Sequence, residues 1–419
     1  VAEPAGPGPA TILYVQQYPD GGSVTSLLGL VQGLDRARYR PIVAFRTPNE
    51  FLDQFRLAGC EVVVLDEAVP ASAPPAGADA DAPPIARRAD GAPAARSSSW
   101  RRQLRRFVRR DLRATRQLLD LLREHRADLV HANNEVLSNR YAILAATRLR
   151  LPVVVHLRGT HDYERGVDRP IDRLLARRVR RAIAISHSVA DHAADALPAL
   201  AGRIEVVDNP FDLRSLPAPT SGTLAADLGL AGDAEVVVLL ARVAWWKGQD
   251  VVVRAMAELR ATRPNAVAVL VGAPSSTYGE QYLVQVRALA EELGVADRVH
   301  VAGFRSDVPE VLALADVVVH ASTEPEPFGR VIVEAMAAGR PVVAAADGGV
   351  LEIVDDGETG LLVPPGDAVA LAAAIDRLLG DPELARRLGA EAQVRARARF
   401  SLGAHAEAVQ RTYDEVLGR

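Results

Sequence analysis

Asp316-Val317-Val318-Val319-His320-Ala321 leads through a short loop into Glu326-Pro327-Phe328-Gly329-Arg330-Val331-Ile332-Val333-Glu334. The first run is apolar and strand-like. Pro327 breaks the chain, Gly329 frees the backbone, and residues 331–338 read as a helix stopped by Gly339 and Pro341. This pattern puts Glu326 in a loop at a strand's carboxyl end and Glu334 about one turn into the next helix. The unpaired amides of the helix start then point into the space that both carboxylates share. An ionised carboxylate accepts two hydrogen bonds, which suits vicinal hydroxyls, and helix-start amides suit a phosphate. A nucleotide sugar has hydroxyls at both ends and phosphates between them, so it fits the arrangement.

Lys247 is the one lysine of the chain, and the other 48 basic residues are arginine. It lies five positions after Arg242 in Ala241-Arg242-Val243-Ala244-Trp245-Trp246-Lys247-Gly248. A lone lysine is ordinarily a solvated surface residue. This one follows the apolar strand 235–240 and precedes a helix, and the carboxyl end of a strand is where open α/β sheets bind ligands.

Together these segments resemble the retaining glycosyltransferases of family four, which have the GT-B architecture. The matching pieces are Arg242 with Lys247-Gly248, Val301-Ala302-Gly303-Phe304, and Glu326-Pro-Phe-Gly with Glu334-Ala-Met-Ala. Gly339-Arg-Pro-Val-Val, Gly348-Gly349 with Glu352, and Thr359-Gly360-Leu-Leu-Val-Pro-Pro-Gly366-Asp367 follow in the same order. No single piece is decisive, but their order and spacing together make a strong signal. The resemblance implies two doubly wound α/β Rossmann-like domains facing across a cleft, with the nucleotide sugar held by the second.

Composition agrees with two globular domains: 419 residues, 49% hydrophobic and 24% charged. A net charge of −4 and 5% aromatic residues argue against a nucleic-acid partner. Cys60 is the single cysteine, so no internal disulfide forms and a reducing cytoplasm fits. No apolar run approaches the roughly 20 residues that span a bilayer. Residues 1–10 read as a disordered start. Strands are expected at 12–16, 41–46, 61–66, 128–131, 152–156 and 182–185, then at 235–240, 266–271, 298–301, 316–321, 341–346 and 360–363. The connections between them are long enough for helices, so both sheets should be parallel. The domains are expected at 11–213 and 224–400, with a hinge over 211–223 where Pro217, Pro219 and Gly222 punctuate. By resemblance, a final helix within 401–419 returns to the first domain.

Two segments interrupt the pattern. Residues 68–99 are rich in Ala, Pro, Asp and Arg and read as a mobile insertion. Asp79 and Asp81 there have the spacing with which another glycosyltransferase fold holds a metal, but they sit outside any strand-to-helix junction. Residues 100–126 form an amphipathic helix with Trp100, Leu104, Phe107, Leu118 and Leu122 on one stripe and arginines around it. The plainer reading is a stripe packed on the sheet with solvated arginines. The other is peripheral contact with an anionic membrane at its inner face.

Replacing a diphosphate at an anomeric carbon builds negative charge on the departing oxygen and positive charge on the sugar. The sequence offers no His/Cys/Asp ligand spacing, so no metal and no cofactor are expected, and fixed cations must meet the leaving group. Arg242 offers a planar fork and Lys247 a compact charge. Amides at Phe328, Gly329 and Arg330 add the helix-start field. By resemblance Glu334 holds the ribose hydroxyls and Glu326 those of the transferred sugar, and the base stacks near Phe304 and Arg305. In the first domain, Gly21-Gly22 joins the first strand to its helix where the family has a glycine pair. Ser186 and Asn209 also stand at family positions, at strand ends.

The sequence departs from the family at Pro152-Val-Val-Val-His156-Leu157-Arg158-Gly159. Arg158 occupies the usual histidine place, with His156 two residues earlier and His161 three later. His156, Arg158 and His161 are equal candidates to touch the acceptor or the transferred sugar, and an arginine there would suit an anionic partner. The acceptor class implied is a glycan, a lipid-linked glycan or a small molecule. Two other activities share the architecture: a nucleotide-sugar 2-epimerase and a non-catalytic nucleotide-sugar-binding protein. A dinucleotide oxidoreductase is weaker, because no Gly-x-Gly-x-x-Gly follows a strand.

Overall fold

The computed structural model describes residues 8–19, 21–65, 99–160, 168–212 and 224–419, without the side chains of 99–110, 168 and 169. Among the described residues, short β-branched runs form thirteen parallel strands in two sheets. The first sheet holds β1 (Ala10–Gln16), β2 (Tyr39–Phe45), β3 (Glu61–Val64), β4 (Leu129–Asn133), β5 (Val153–Leu157), β6 (Arg181–Ala184) and β7 (Ile204–Val206). The second holds β8 (Glu235–Leu240), β9 (Ala266–Val271), β10 (Val299–Gly303), β11 (Val317–His320), β12 (Val342–Ala345) and β13 (Leu361–Val363). Their central strands are apolar along almost their whole length because helices cover both faces.

The strand order is β3-β2-β1-β4-β5-β6-β7 in one sheet and β10-β9-β8-β11-β12-β13 in the other. Each sheet is doubly wound, reversing direction between β1 and β4 and between β8 and β11. A crevice opens at such a switch point, beyond the carboxyl ends of the two strands.

The chain divides into two compact units. Described residues up to Pro210 with Leu402–Arg419 make one, and Phe211–Ser401 make the other. The helix Leu402–Leu417 packs on the helix Gly22–Gly33 of the same unit. A Cβ at Gly33 would lie 2.8 Å from Ala406 Cβ and 2.9 Å from the Leu402 carbonyl oxygen, so only glycine allows this approach. Tyr413 on this helix is buried and donates to the Tyr14 hydroxyl at 3.1 Å.

Several boundaries differ from the sequence reading. Ala10 belongs to β1 and not to a disordered start: it is buried, lies opposite Tyr39, and donates to the Arg38 carbonyl at 2.8 Å. β4 continues to Asn133, beyond the expected 128–131, because Asn133 is in register with Gln16 and His156 and is fully buried. The basic helix spans Ser99–Glu124, so Ser99 lies outside the insertion. On its described part Leu118 and Leu122 are buried while Arg113, Arg116 and Arg123 are exposed. That agrees with the stripe packing inward. Asp79 and Asp81 lie outside the described residues. Among those described, no helix is long and apolar enough to cross a membrane.

Candidate functional site

Two loops meet at the switch point of the second sheet. The first leaves β8, passes Arg242, makes a tight turn at Trp245–Lys247, and ends at Gly248 with φ +71°. A Cβ at Gly248 would lie 1.9 Å from the Ala321 carbonyl oxygen, so the chain can pass β11 this closely only as glycine. Thr323 N donates to the Trp246 carbonyl at 2.8 Å, and buried Gln249 donates Nε2 to the Arg242 carbonyl at 3.0 Å. The lysine loop is thereby tied to the loop that follows β11.

That second loop carries Glu326 and is backed by Gly348-Gly349. Gly349 N donates to the Glu326 carbonyl at 2.8 Å, and a Cβ on Gly349 would lie 2.6 Å from the Pro327 oxygen. Gly329, at φ +97°, turns the chain into the helix Arg330–Ala337, whose start no side chain caps. Its first amides are thus free of side-chain acceptors, as anion binding requires.

Lys247 Nζ donates to Glu326 Oε2, and the two side chains are only 15% and 13% exposed. The ammonium also sits 3.9 Å from the centre of the Trp246 ring. Ser322 Oγ donates to the same Oε2 at 3.2 Å, and His320 Nε2 lies 3.3 Å from it. Burial pushes the Glu326 carboxyl up, but the Lys247 charge and the His320 contact outweigh it and hold the group well below the usual carboxylate range. Glu326 is therefore ionised. Glu334 is the contrast: burial raises its carboxyl, and Arg330, 3.6 Å away, offsets this only in part.

The remaining residues expected around a donor take distinct roles. Arg242 Nη1 donates to Ser275 Oγ at 3.0 Å. The Phe304 ring, just past β10, is 78% exposed and offers a stacking surface. Arg305 forms a fork to Asp307, with bonds of 2.8 and 2.5 Å. The Phe328 ring is buried edge-on to Phe400 at 5.9 Å, so this residue can offer a ligand its backbone and not its ring. Among the described residues no group of His, Cys, Asp or Glu is arranged to hold a metal ion.

In the first unit Gly22 opens the helix Gly22–Gly33 at the carboxyl end of β1, and Gly21 before it has φ +82°. Arg158 lies just beyond β5, donating Nε to Asn133 Oδ1 at 2.9 Å and Nη1 to Asn209 Oδ1 at 2.5 Å. Asn133 Nδ2 in turn donates to Gln16 Oε1 at 2.5 Å and to the Ser23 carbonyl at 3.1 Å. This polar seam crosses the first switch point, from the end of β1 through β4 and β5 to the loop after β7. Gln16 and Asn133 escaped the sequence reading, although a polar residue closing an apolar strand is a usable signal. Ser186 caps the helix His187–Ala196 by accepting from Val189 N at 3.1 Å.

His156 does not face an acceptor. Its ring is fully buried, stacked on His405 with centres 5.8 Å apart and tilted against His131 at 5.4 Å. Strand alternation aims it into the unit, where burial, with Arg158 adding to it, holds its imidazole well below the ordinary value. His161 lies outside the described residues. Of the three candidates, Arg158 is the one that the structure connects to a polar network at a strand end.

Comparison with known proteins adds the following. Residues 222–395 match the family model described as Glycosyl transferases group 1, and residues 20–215 match that of Glycosyltransferase Family 4. A D-inositol 3-phosphate glycosyltransferase of Nocardia farcinica is 37% identical over 222 residues, 51% of this chain and 48% of that protein. A GDP-mannose-dependent alpha-(1-6)-phosphatidylinositol monomannoside mannosyltransferase of Mycolicibacterium smegmatis is 39% identical over 168 residues, 38% of this chain and 42% of that protein. The chain thus spans about half the length of the curated relatives it matches. Anabaena HepE, in a crystal structure with UDP-glucose, is 27% identical and superposes with a TM-score of 0.76, covering 97% of this chain and 99% of its own.

Proposed function

We propose that this chain, which belongs to the family-four glycosyltransferases of the GT-B fold, moves a sugar from a nucleoside diphosphate sugar to a glycan, lipid-linked or small-molecule acceptor with retained anomeric configuration and without a metal. One observation carries the reading: Lys247 and Glu326 pair at the switch point of the second sheet, and the loop that carries Glu326 leads into an uncapped helix start. The UDP-glucose bound by HepE supports a donor of that class. The names of the inositol-phosphate and phosphatidylinositol enzymes are compatible with an anionic acceptor near Arg158.

In this reading the diphosphate lies between Arg242, Lys247 and the amides at Gly329 and Arg330. These fixed cations and dipoles meet the charge that grows on the leaving oxygen. Glu334 takes the ribose hydroxyls and Phe304 offers its face to the base. Glu326 grips the hydroxyls of the transferred sugar. Pinned by an ammonium on one oxygen, it suits positioning better than attack on the anomeric carbon. The exposed Arg113, Arg116 and Arg123 would face an anionic membrane if the acceptor is lipid-linked.

The decisive experiment is calorimetric titration with UDP, GDP and ADP, followed by hydrolysis of the matching sugar donors and NMR of the product. Binding of one diphosphate, slow hydrolysis and a retained anomer are expected. An inverted product would reject the mechanism, formation of a 2-epimer would favour the isomerase, and binding without any turnover would favour a binding protein.

A further inference from the structure

We propose that His320 and Ser322 are positioning residues that fix the carboxylate of Glu326 so that one oxygen is held by the protein and the other is presented to the donor. This rests on the reading of Glu326 as the group that grips the transferred sugar.

Among the described residues, the hydrogen bonds and ion pairs of the Glu326 carboxylate fall on a single oxygen. Oε2 receives Lys247 Nζ, Ser322 Oγ at 3.2 Å and His320 Nε2 at 3.3 Å, while Oε1 has no partner among the described residues. Ser322 Oγ is also 3.1 Å from His320 Nε2, so the three side chains close a small triangle. The proton inventory fixes its direction. An ionised carboxylate only accepts, so the Nε2 that faces it must carry a proton. Ser322 has one proton, which goes to Glu326, and the single Nε2 proton of His320 is shared between Glu326 Oε2 at 3.3 Å and Ser322 Oγ at 3.1 Å. His320 Nδ1 is buried and has no partner among the described residues, so the Nε2 edge is the one the site uses.

Position in the sequence explains the rigidity. His320 is the last residue of β11, 6% exposed, and Ser322 follows two residues on with 2%. Both are anchored to the central sheet, whereas Glu326 sits on a loop. A loop carboxylate on its own samples several rotamers, and two donors fixed to a strand end select one. With Oε2 saturated, Oε1 is left for a sugar hydroxyl.

His320→Ala and Ser322→Ala separate a positioning role from a merely structural one when tested with UDP-glucose, and with GDP-mannose if UDP-glucose is not turned over. His320→Ala should lower kcat about tenfold or more, with nucleoside diphosphate affinity unchanged within about twofold. His320→Gln, which offers an amide N–H near the same place, should recover most of the loss. In a Glu326→Gln background, adding His320→Ala should cost less than about twofold, because groups acting through one another are not additive. Equal losses in both backgrounds, or a parallel fall in diphosphate affinity, would overturn the proposal. A readout free of substrate uses the single lysine: 15N-lysine labelling gives one side-chain ammonium resonance. Its shift should move in His320→Ala and return in His320→Gln. An unmoved resonance would overturn the positioning network even if transfer is confirmed. Wild-type protein that turns over no sugar donor of the UDP, GDP or ADP series would reject the functional reading and leave the resonance to decide the network.

Discussion

Lys247→Ala removes the one ammonium of the proposed donor site and leaves a mostly buried carboxylate behind. The lysine donates to Glu326 Oε2, packs 3.9 Å from the Trp246 ring centre, and is 15% exposed. A hydrogen bond to a charged group is worth about 1.5–3 kcal/mol, and one to a phosphate that gains charge in the transition state is worth at least that. At about 1.4 kcal/mol per tenfold in rate, turnover should fall about 10- to 100-fold. Diphosphate affinity should fall less, because charge on the leaving oxygen is greatest in the transition state. A second effect follows from Glu326. The Lys247 charge is the leading influence against burial in holding that carboxyl down. Without it the carboxyl rises, and Glu326 protonates as pH falls at a higher pH than in the parent. The acid limb of the rate profile should therefore move upward. Lys247→Arg tests shape: the guanidinium keeps the charge but is planar and wider than an ammonium, so recovery should be incomplete. The assay is initial-rate donor hydrolysis across pH, with circular dichroism to show that the fold persists. Parent-like turnover in a folded Lys247→Ala protein would refute the assignment.

The two carboxylates should separate by ligand: Glu326→Gln lowers turnover more than diphosphate affinity, and Glu334→Gln weakens diphosphate binding itself, both read by calorimetry beside initial rates. Because burial raises the Glu334 carboxyl, diphosphate affinity should start to fall, as pH drops, at a higher pH than an ordinary glutamate would set. Glu334→Gln should remove that part of the profile. Exhaustive chelation should leave activity intact, and loss restored by manganese or magnesium would reject catalysis by fixed cations. Burial holds His131, His156 and His405 below the ordinary value of 6.5, His405 at about 3. The unfolded chain therefore binds protons first, and stability, fully present above pH 6.5, should decline as pH falls below it. His156→Phe should flatten that decline in chemical denaturation series.

What could be read from the sequence is what is local in it. β8 and β9 end where apolar runs meet turn residues. Gly248, Gly329 and Gly348-Gly349 mark backbone turns or contacts that no other residue could make. What could not be read is pairing. Lys247 and Glu326, 79 positions apart, were each identified alone, yet nothing local says that one ammonium neutralises the other's carboxylate. Asn133 lies beyond the strand expected at 128–131, yet it closes the buried strand. It does so here because Gln16, 117 positions away, and Arg158 accept and donate in the right places. His320 was hidden for the same reason, since a histidine after three valines is most simply a satisfied core residue.

These long-range pairs bear on how the donor site works. A buried carboxylate and a buried ammonium are each costly alone, and each lowers the cost of the other. The ion pair therefore lets the loops after β8 and β11 keep two charges at one crevice before any ligand arrives. Lysine has three protons, and the bond to Glu326 uses one, so the ammonium can meet a phosphate without leaving the carboxylate. Glu326 still has Oε1 for the sugar. Each partner has capacity left after pairing, so donor binding need not dismantle the pair, and the contact can persist through transfer. Lys247 and Glu326 should therefore be coupled in rate, and a Lys247→Ala, Glu326→Gln double variant should lose less than the product of the two single losses. Losses that multiply would mean that the pair breaks before the chemistry.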